Sequence, residues 1–264
     1  MQVRESAYDA LAPRFERERA LPDGVARAVR ELVLEAAGVA HPRVLDLGAG
    51  TGRLGWPFVA AGDGYVGVDF SFGMLRAFVE RCACAPRLVQ ADGHRLPFAD
   101  ATFDAVMLIQ VFGGLTDWRQ FAAEVRRVLR PGGATVIGRT ATPHDGVDER
   151  MKRQLDLILE QSGARRSGNA RADVETLLGT DASRVERRIA GTWMAQRTPR
   201  QFIARHRGGA RFSALPEQVK GDAMARLAAW AETAFGSLDA SSSESHSFEL
   251  QVYRYKRVAT RCQA

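Results

Sequence analysis

Val44-Leu45-Asp46-Leu47-Gly48-Ala49-Gly50-Thr51-Gly52-Arg53 decides how the rest of this 264-residue chain is read. An apolar run stops at an acidic residue and breaks into a loop with glycine at every second position. A short strand, such a loop and then a helix is how parallel α/β sheets bring backbone close to a nucleotide-like ligand. Glycine suits the loop because it accepts positive φ and puts no Cβ between chain and ligand.

Outward from that loop, the pattern alternates. Arg43–Leu47 reads as a strand, about Arg53–Ala61 as a helix, and Tyr65–Val68, ending at Asp69, as the next strand. Met74, Phe78 and Cys82 share one face of a following helix, and Pro86 precedes a strand at Leu88–Ala91. Phe103–Val111 is nearly all apolar, as a central strand covered on both faces would be. Trp118–Leu129 has helical spacing, Pro131-Gly132-Gly133 stops it, and Ala134–Gly138 reads as a fifth strand. This alternation predicts a doubly wound parallel sheet. Ahead of it, residues 6–19 read as a short amphipathic helix with Tyr8, Leu11 and Phe15 on one face. Pro22 then opens a second helix, which Gly38 caps. Behind it, helices are expected at about 148–161, 172–179 and 217–235, and strands at Val185–Met194 and Phe248–Val258. The stretch between those strands is too long for a hairpin loop and reads as an inserted lid at about 199–246. Ser241-Ser242-Ser243-Glu244-Ser245 reads as a mobile loop.

Composition narrows the class. A hydrophobic content of 45% against 26% charged residues is that of a globular chain able to bury one large core. No window approaches the roughly 20 apolar residues of a membrane span. Arg4, Glu5, Asp9 and Arg14 stand where a signal peptide needs an apolar stretch, so a cytoplasmic location is expected. Three cysteines make no disulfide framework, and Cys82 and Cys84 lack zinc-site spacing, so no metal is expected. The net charge of +6 is uneven: residues 150–211 hold fourteen Lys/Arg against six Asp/Glu. That surplus is either a solvated basic surface or a wall facing a negatively charged partner. No aromatic interleaving of the kind that binds single strands accompanies it, so nucleic acid is the less favoured partner.

Two cofactors compete for the glycine loop. Gly50-x-Gly52-x-x-Gly55 formally matches a dinucleotide fingerprint, with Asp69 near the place of a ribose-binding acid. The fuller pattern, Asp46-x-Gly48-x-Gly50-x-Gly52, resembles the first motif of the class I S-adenosylmethionine-dependent methyltransferases, in particular their small-molecule "methyltransferase type 11"-like subgroup. Gly67-Val68-Asp69-Phe70-Ser71 with Met74 resembles the second motif of that family. Gln90-Ala91-Asp92-Gly93, Leu96-Pro97-Phe98 and Phe103-Asp104 resemble its third and fourth. Val125-Arg126-Arg127-Val128-Leu129-Arg130-Pro131-Gly132-Gly133 resembles the R-x-L-x-P-G-G segment before strand five, and Tyr8-Asp9-Ala10-Leu11-Ala12 the tyrosine-containing N-terminal motif. The resemblance covers roughly residues 5–140, in order and spacing.

The resemblance implies a Rossmann-like, seven-stranded, mostly parallel sheet with an antiparallel last strand. A helical cap would occupy residues 1–40, the cofactor-binding core 41–140, and an acceptor-shaping region with the lid 141–264. S-adenosylmethionine is the implied cofactor. Asp46, Gly48, Ala49, Gly50 and Gly52 would form and order its loop, and Asp69 would accept from both ribose hydroxyls. Phe70 and Met74 would contact the adenine, with Asp92 and Gly93 beside it, and Gln110 would lie near the charged end of the cofactor. Tyr8, Asp9, Phe15 and Phe112 are candidates to line the acceptor pocket. His144 and His206 are the candidate general bases, a role methyl transfer needs only for some acceptors. The expected activity is methyl transfer to an O, N or C atom of a small molecule, with a place in secondary metabolism. The alternatives are a tRNA or protein methyltransferase using the basic 150–211 region, or a catalytically silent cofactor-binding partner. Acceptor identity, the atom methylated and oligomeric state are not written in the sequence.

Overall fold

A computed structural model of the chain describes residues 21–22, 24–112, 115, 117–164, 170–207, 212 and 215–256. The expected first helix, with Tyr8, Asp9 and Phe15, lies outside the described residues, as do Gly113 and Gly114. Helix α1, Val25–Ala37, buries Val25, Val29, Val33 and Ala36 at helical spacing and ends at Gly38 in the left-handed conformation (φ 64°). Strand β1, Arg43–Leu47, leads through the glycine loop into α2, Trp56–Ala60, and β2, Gly64–Asp69. Helix α3, Phe72–Arg81, is N-capped by Ser71, whose Oγ accepts from Met74 N at 3.1 Å. Strand β3, Leu88–Gln90, precedes β4, Phe103–Ile109, all seven of whose residues are buried. Helix α4, Trp118–Val128, runs directly into β5, Leu129–Ala141. There follow α5, Val147–Gln161, α6, Ala170–Thr180, β6, Arg184–Arg197, α7, Pro199–Arg207, α8, Glu217–Phe235, and β7, Ser242–Arg254.

The seven strands form one sheet in the order β3-β2-β1-β4-β5-β7-β6. β1 pairs in parallel with β2 (Leu45 opposite Val66) and with β4 (Leu45 opposite Val106), and β4 pairs in parallel with β5 (Met107 opposite Val136). β7 runs antiparallel to β5. Tyr255 N donates to Gly133 O, while Gly138, five residues later on β5, meets Leu250, five residues earlier on β7. The doubly wound, mostly parallel sheet with an antiparallel last strand is therefore the fold, and the reversal of order between β1 and β4 is its switch point.

Local boundaries differ from the sequence expectation in instructive ways. The helix expected from Arg53 begins only at Trp56, because residues 51–55 wind as turns out of the glycine loop. Cys82 is the extended C-cap of α3 (ψ 137°) and does not share the Met74–Phe78 face. Pro131-Gly132-Gly133 lies inside β5. Leu129 faces Phe103 and Ala134 faces Ala105, so residues 130–133 of β5 stand opposite Asp104 alone and the extra backbone bulges out of the ladder. The Ser241–Ser245 stretch is no mobile loop: β7 starts at Ser242, six residues before the expected Phe248, and ends at Arg254. Composition hid this strand because the inward positions of its first half are Glu244 and His246, both buried, rather than apolar residues.

The chain packs as two compact units. One is drawn from Met1–Arg139, Asn169–Gly191 and Phe248–Ala264, the other from Thr140–Gly168 and Thr192–Ser247. In the first, Leu45, Val106, Leu108, Phe121, Val125, Ile137 and Tyr253 belong to one core cluster, joined by Val174 and Leu178 of α6. In the second, α5, α7 and α8 bury Met151, Leu155, Phe202, Met224 and Leu227 together.

Two arginines of the Arg127–Arg130 segment hold the first unit's loops. Arg127 donates to Phe98 O (2.7 Å) and Leu96 O (3.0 Å), and its Nε to Glu124 Oε1 (2.7 Å), while Glu124 Oε2 accepts from Leu96 N (2.7 Å). The guanidinium beside it, with help from the Leu96 N–H, holds the buried Glu124 carboxyl below its ordinary range. Arg130 Nη1 spans both oxygens of Asp104, which also accepts from Arg43 N at 2.8 Å, so Asp104 ties β1, β4 and β5 together. Replacing Arg127 with Met leaves Glu124 buried without its cation. The expected loss is about 3 kcal/mol in urea denaturation, and a loss below about 0.5 kcal/mol would show that the pair does not hold the 96–100 loop.

Candidate active site

The C-terminal ends of β3, β2, β1 and β4 lie side by side in the sheet, and the candidate residues follow those ends. Gly48 N and Ala49 N both donate to Val68 O (2.8 and 2.9 Å), which folds the glycine loop back over β2. Gly50 N donates to Asp69 Oδ2 (2.8 Å), while Asp69 Oδ1 accepts from Ser71 N (2.8 Å). One carboxylate thus closes the loop after β1 and the turn after β2.

Two loop glycines serve different ends. Gly52 has φ +76°, and a Cβ there would lie 2.1 Å from the ring of Phe78, so bare backbone is needed for packing. Gly50 has φ +56°, yet the nearest atom to its missing Cβ is Gly48 O at 4.0 Å. The space over Gly50 is open, and a ligand can approach the backbone there.

Asp46 does not reach the loop backbone. Its carboxyl is buried and accepts from Tyr65 Oη at 2.8 Å. Burial, opposed by that hydrogen bond and aided by nearby Asp69, pushes the Asp46 carboxyl up to about 7. Tyr65 is likewise raised, chiefly by burial and then by the Asp46 charge. The Tyr65 ring stacks on Phe58 (5.4 Å) and meets Phe78 edge-on (6.1 Å), so this polar pair sits inside an aromatic floor beneath the loop.

The remaining candidates divide. Phe70 is 45% exposed just beyond Asp69, whereas Met74 is 2% exposed and packs inward with Leu75 and Phe78. Asp92 Oδ1 accepts from His94 N (2.9 Å) and meets His94 Nδ1 (2.6 Å). Gly93 leaves room for Phe121, whose ring would stand 2.8 Å from a Cβ. Gln110 is an exposed non-glycine residue at φ +57°, a strained conformation of the kind that collects at functional sites, and Arg53 Nη2 donates to its Oε1 (2.7 Å). Phe112 is half-buried and meets Phe121 edge-on (6.3 Å). His144 and His206 belong to the second unit. His144 is exposed, and its carbonyl accepts from Arg153 (2.7 Å). The His206 ring stacks on Phe202 at 3.8 Å, with Nδ1 at 2.8 Å from Phe202 O.

Sequence reasoning missed Arg53 and Tyr65. Arg53 follows the last glycine of the loop, and Tyr65 is an inward position of β2, the kind of place where a hydroxyl needs a partner. The set fits an adenosyl cofactor. It offers an open glycine backbone, a carboxylate at the end of β2, an exposed ring next to it, and a second carboxylate after β3.

Comparison with known proteins agrees. Residues 45–137 match the family described as a methyltransferase domain. The demethylmenaquinone methyltransferase of Renibacterium salmoninarum is 34% identical over 166 residues, 60% of this chain and 69% of that protein. This chain belongs to the class I S-adenosylmethionine-dependent methyltransferases. It is a methyltransferase of the small-molecule type, and S-adenosylmethionine is its cofactor. The demethylmenaquinone methyltransferases of Corynebacterium urealyticum and Streptomyces griseus are 44% and 38% identical, over 38% and 52% of this chain. The chain spans only 43% and 60% of the length of those two relatives. Among solved structures, the YcgJ protein of Bacillus subtilis superposes with a TM-score of 0.55 at 20% identity, covering 88% of this chain and 99% of that one. A possible histamine N-methyltransferase of Thermotoga maritima gives 0.53 at 15%, covering 95% and 99%. At such identities the structural likeness speaks for the fold.

In Gly50→Ala the left-handed φ should cost about 1–2 kcal/mol, leaving the methyltransferase folded but with cofactor affinity reduced at least about tenfold in calorimetry. Gly52→Ala should instead fail to fold, which expression and circular dichroism would show. Asp46 gives a pH test. Its folded value lies above its unfolded value, so between about pH 4 and 7 the folded state holds more protons and stability falls as pH rises. Urea denaturation at pH 5 and pH 8 should show wild type losing stability relative to Asp46→Asn, on the order of a few kcal/mol. Parallel pH profiles would contradict the assignment.

Proposed function

We propose that this methyltransferase acts on a small molecule that brings its own activated nucleophile, an electron-rich ring of the quinol class or a similar acceptor, and that it works in the cytoplasm within secondary metabolism. The observation that carries the reading is the segment after β4. Among its described residues ahead of Asp117, the N-cap of α4, Gln110, Val111, Phe112 and Leu115 offer an amide and apolar side chains and no group that could take a proton. An acceptor bound there must already be nucleophilic, as the ring or oxygen of a quinol is on ionisation. The named activity of the demethylmenaquinone methyltransferases supports the same class.

In this reading Gly48, Ala49, Gly50 and Gly52 admit the cofactor to the loop, and Asp69 accepts from the ribose hydroxyls while holding Gly50 in place. Phe70 covers one face of the adenine, with Asp92 and Gly93 at its edge. Met74 supports Phe70 from within. Arg53 and Gln110 stand at the cofactor's amino-acid end, where a guanidinium and an amide suit a carboxylate. Bound, the sulfonium supplies an electrophilic methyl with a good leaving group. What remains for the protein is to align the acceptor and exclude water. His144 is exposed and the His206 ring stacks on Phe202, and an acceptor that is already nucleophilic needs neither as a base. Phe112 lines the acceptor side. Tyr8, Asp9 and Phe15, outside the described residues, keep the pocket role that the N-terminal motif implies.

The basic segment supports a small acceptor over a nucleic acid. Of its fourteen cations, Lys152, Arg171, Arg184, Arg187, Arg188, Arg197, Arg200 and Arg205 each meet a carboxylate. Five of the partners, Glu35, Asp148, Glu149, Asp239 and Glu249, lie outside residues 150–211. The surplus counted along the sequence is largely neutralised in space.

The test is transfer from methyl-labelled S-adenosylmethionine into reduced quinones, a small-molecule extract, RNA and protein. Label in the quinol or small-molecule pools is expected, unchanged by salt. Label confined to RNA or protein would overturn the reading. No label despite measured cofactor binding would mark a silent partner. Asp69→Ala should abolish transfer and weaken cofactor binding by about 100-fold, two hydrogen bonds to a charged group being lost along with the loop's anchor.

A further inference from the structure

His94 has no role in the motifs, yet it is the residue most tightly joined to Asp92. Asp92 Oδ1 receives both the backbone N–H of His94 (2.9 Å) and the His94 ring at Nδ1 (2.6 Å). The turn is closed a second time by Arg95 N donating to Asp92 O (2.9 Å). Helix α4 fixes the histidine from the other side. Its ring meets Phe121, which is 2% exposed, edge-on at 6.1 Å, and Gln120 Nε2 donates to His94 O at 3.2 Å. His94 Nε2 is covered and has no hydrogen-bond partner among the described residues. An ionised carboxylate only accepts hydrogen bonds, so the 2.6 Å contact to Oδ1 needs a donor at the ring nitrogen. The proton therefore sits on Nδ1, pointed at the carboxylate.

The consequence concerns Asp92. With Oδ1 filled by two donors, the carboxylate is locked about its side-chain torsions and Oδ2 is the oxygen left to face a ligand. A side chain more than half exposed would otherwise sample several rotamers, and ordering it on binding would cost affinity. We propose that His94 is a positioning residue, which holds Asp92 so that Oδ2 selects a ligand bearing a donor amine at the six-position of its purine. This rests on the reading that Asp92 faces the adenine of S-adenosylmethionine. An amine there donates to a carboxylate, whereas a six-oxo purine sets a carbonyl oxygen against it. His94 adds to that discrimination without touching the ligand.

The experiment measures dissociation constants, by calorimetry, for S-adenosylhomocysteine and for its inosine counterpart. Wild type is expected to prefer the adenosyl form. In His94→Phe, which keeps a ring against Phe121 but removes the donor, that preference should shrink about tenfold, with the inosyl affinity unchanged. His94→Asn, whose amide nitrogen can take the place of Nδ1, should restore it. His94→Gln, one carbon longer, should not. Equal weakening of both ligands in His94→Phe, or no change in their ratio, would overturn the proposal and leave His94 a packing residue. Asp92→Asn separates the two levels: if it too leaves the ratio unchanged, Asp92 does not face the purine and the underlying reading fails. Should His94→Phe not fold, the Asn and Gln variants still decide, because the proposal requires them to differ.

Discussion

Asp69 stands where β2 leaves the sheet, and its two oxygens hold two loops in place: Gly50 N on one and Ser71 N on the other. The glycine loop depends on this carboxylate for its shape, and the first turn of α3 depends on it for its start. Beneath it, Asp46 and Tyr65 form a second polar layer among Phe58 and Phe78. Two carboxyls so close would repel if both were ionised. Burial, with Asp69 adding to it, accordingly pushes the Asp46 carboxyl up to about 7. The core therefore carries a buried acid at some cost in stability, and the site gains a loop that is shaped before the cofactor arrives.

The rest of the first unit extends this arrangement outward. Asp104, held by Arg130 and Arg43 N, ties three strands at the far end of the sheet, and Arg127 fixes the 96–100 loop. The site thus lies on strand ends whose own positions are pinned by charged pairs at the opposite end and flank. Among the described residues Gln110 is the one non-glycine at positive φ on the edge where the ligand is read to bind, and Arg53 donates to it.

Much of this was legible in the sequence. Apolar runs of strand length punctuated by Gly and Pro placed β1, β2 and β4 within one or two residues, because buried parallel strands leave little choice of residue. The glycine loop and Asp69 were legible because bare backbone and a carboxylate are the only residue chemistry that serves there. What stayed hidden was of another kind. The start of β7 was invisible because Glu244 and His246 occupy inward positions, so strand periodicity is carried by burial and not by hydrophobicity. The bulge at Pro131-Gly132-Gly133 looked like a stop signal because local turn chemistry says nothing of the ladder on either side. Long-range pairs were equally silent: Arg53 with Gln110, Tyr65 with Asp46, and the cations of residues 150–211 with carboxylates elsewhere in the chain. A window along the sequence counts charge, and only the fold shows which charges meet.

The central claim is that the glycine loop is held by Asp69 without help from the cofactor. The most direct measurement is hydrogen exchange of the Gly50 amide, followed by NMR in the ligand-free protein. The account predicts exchange slowed at least about 100-fold relative to an exposed amide, as a persistent bond to the carboxylate requires, and fast exchange once Asp69 is replaced by Ala. Exchange at the unprotected rate in the wild-type protein, with protection gained only on adding S-adenosylhomocysteine, would show that the ligand shapes the loop and would contradict the account.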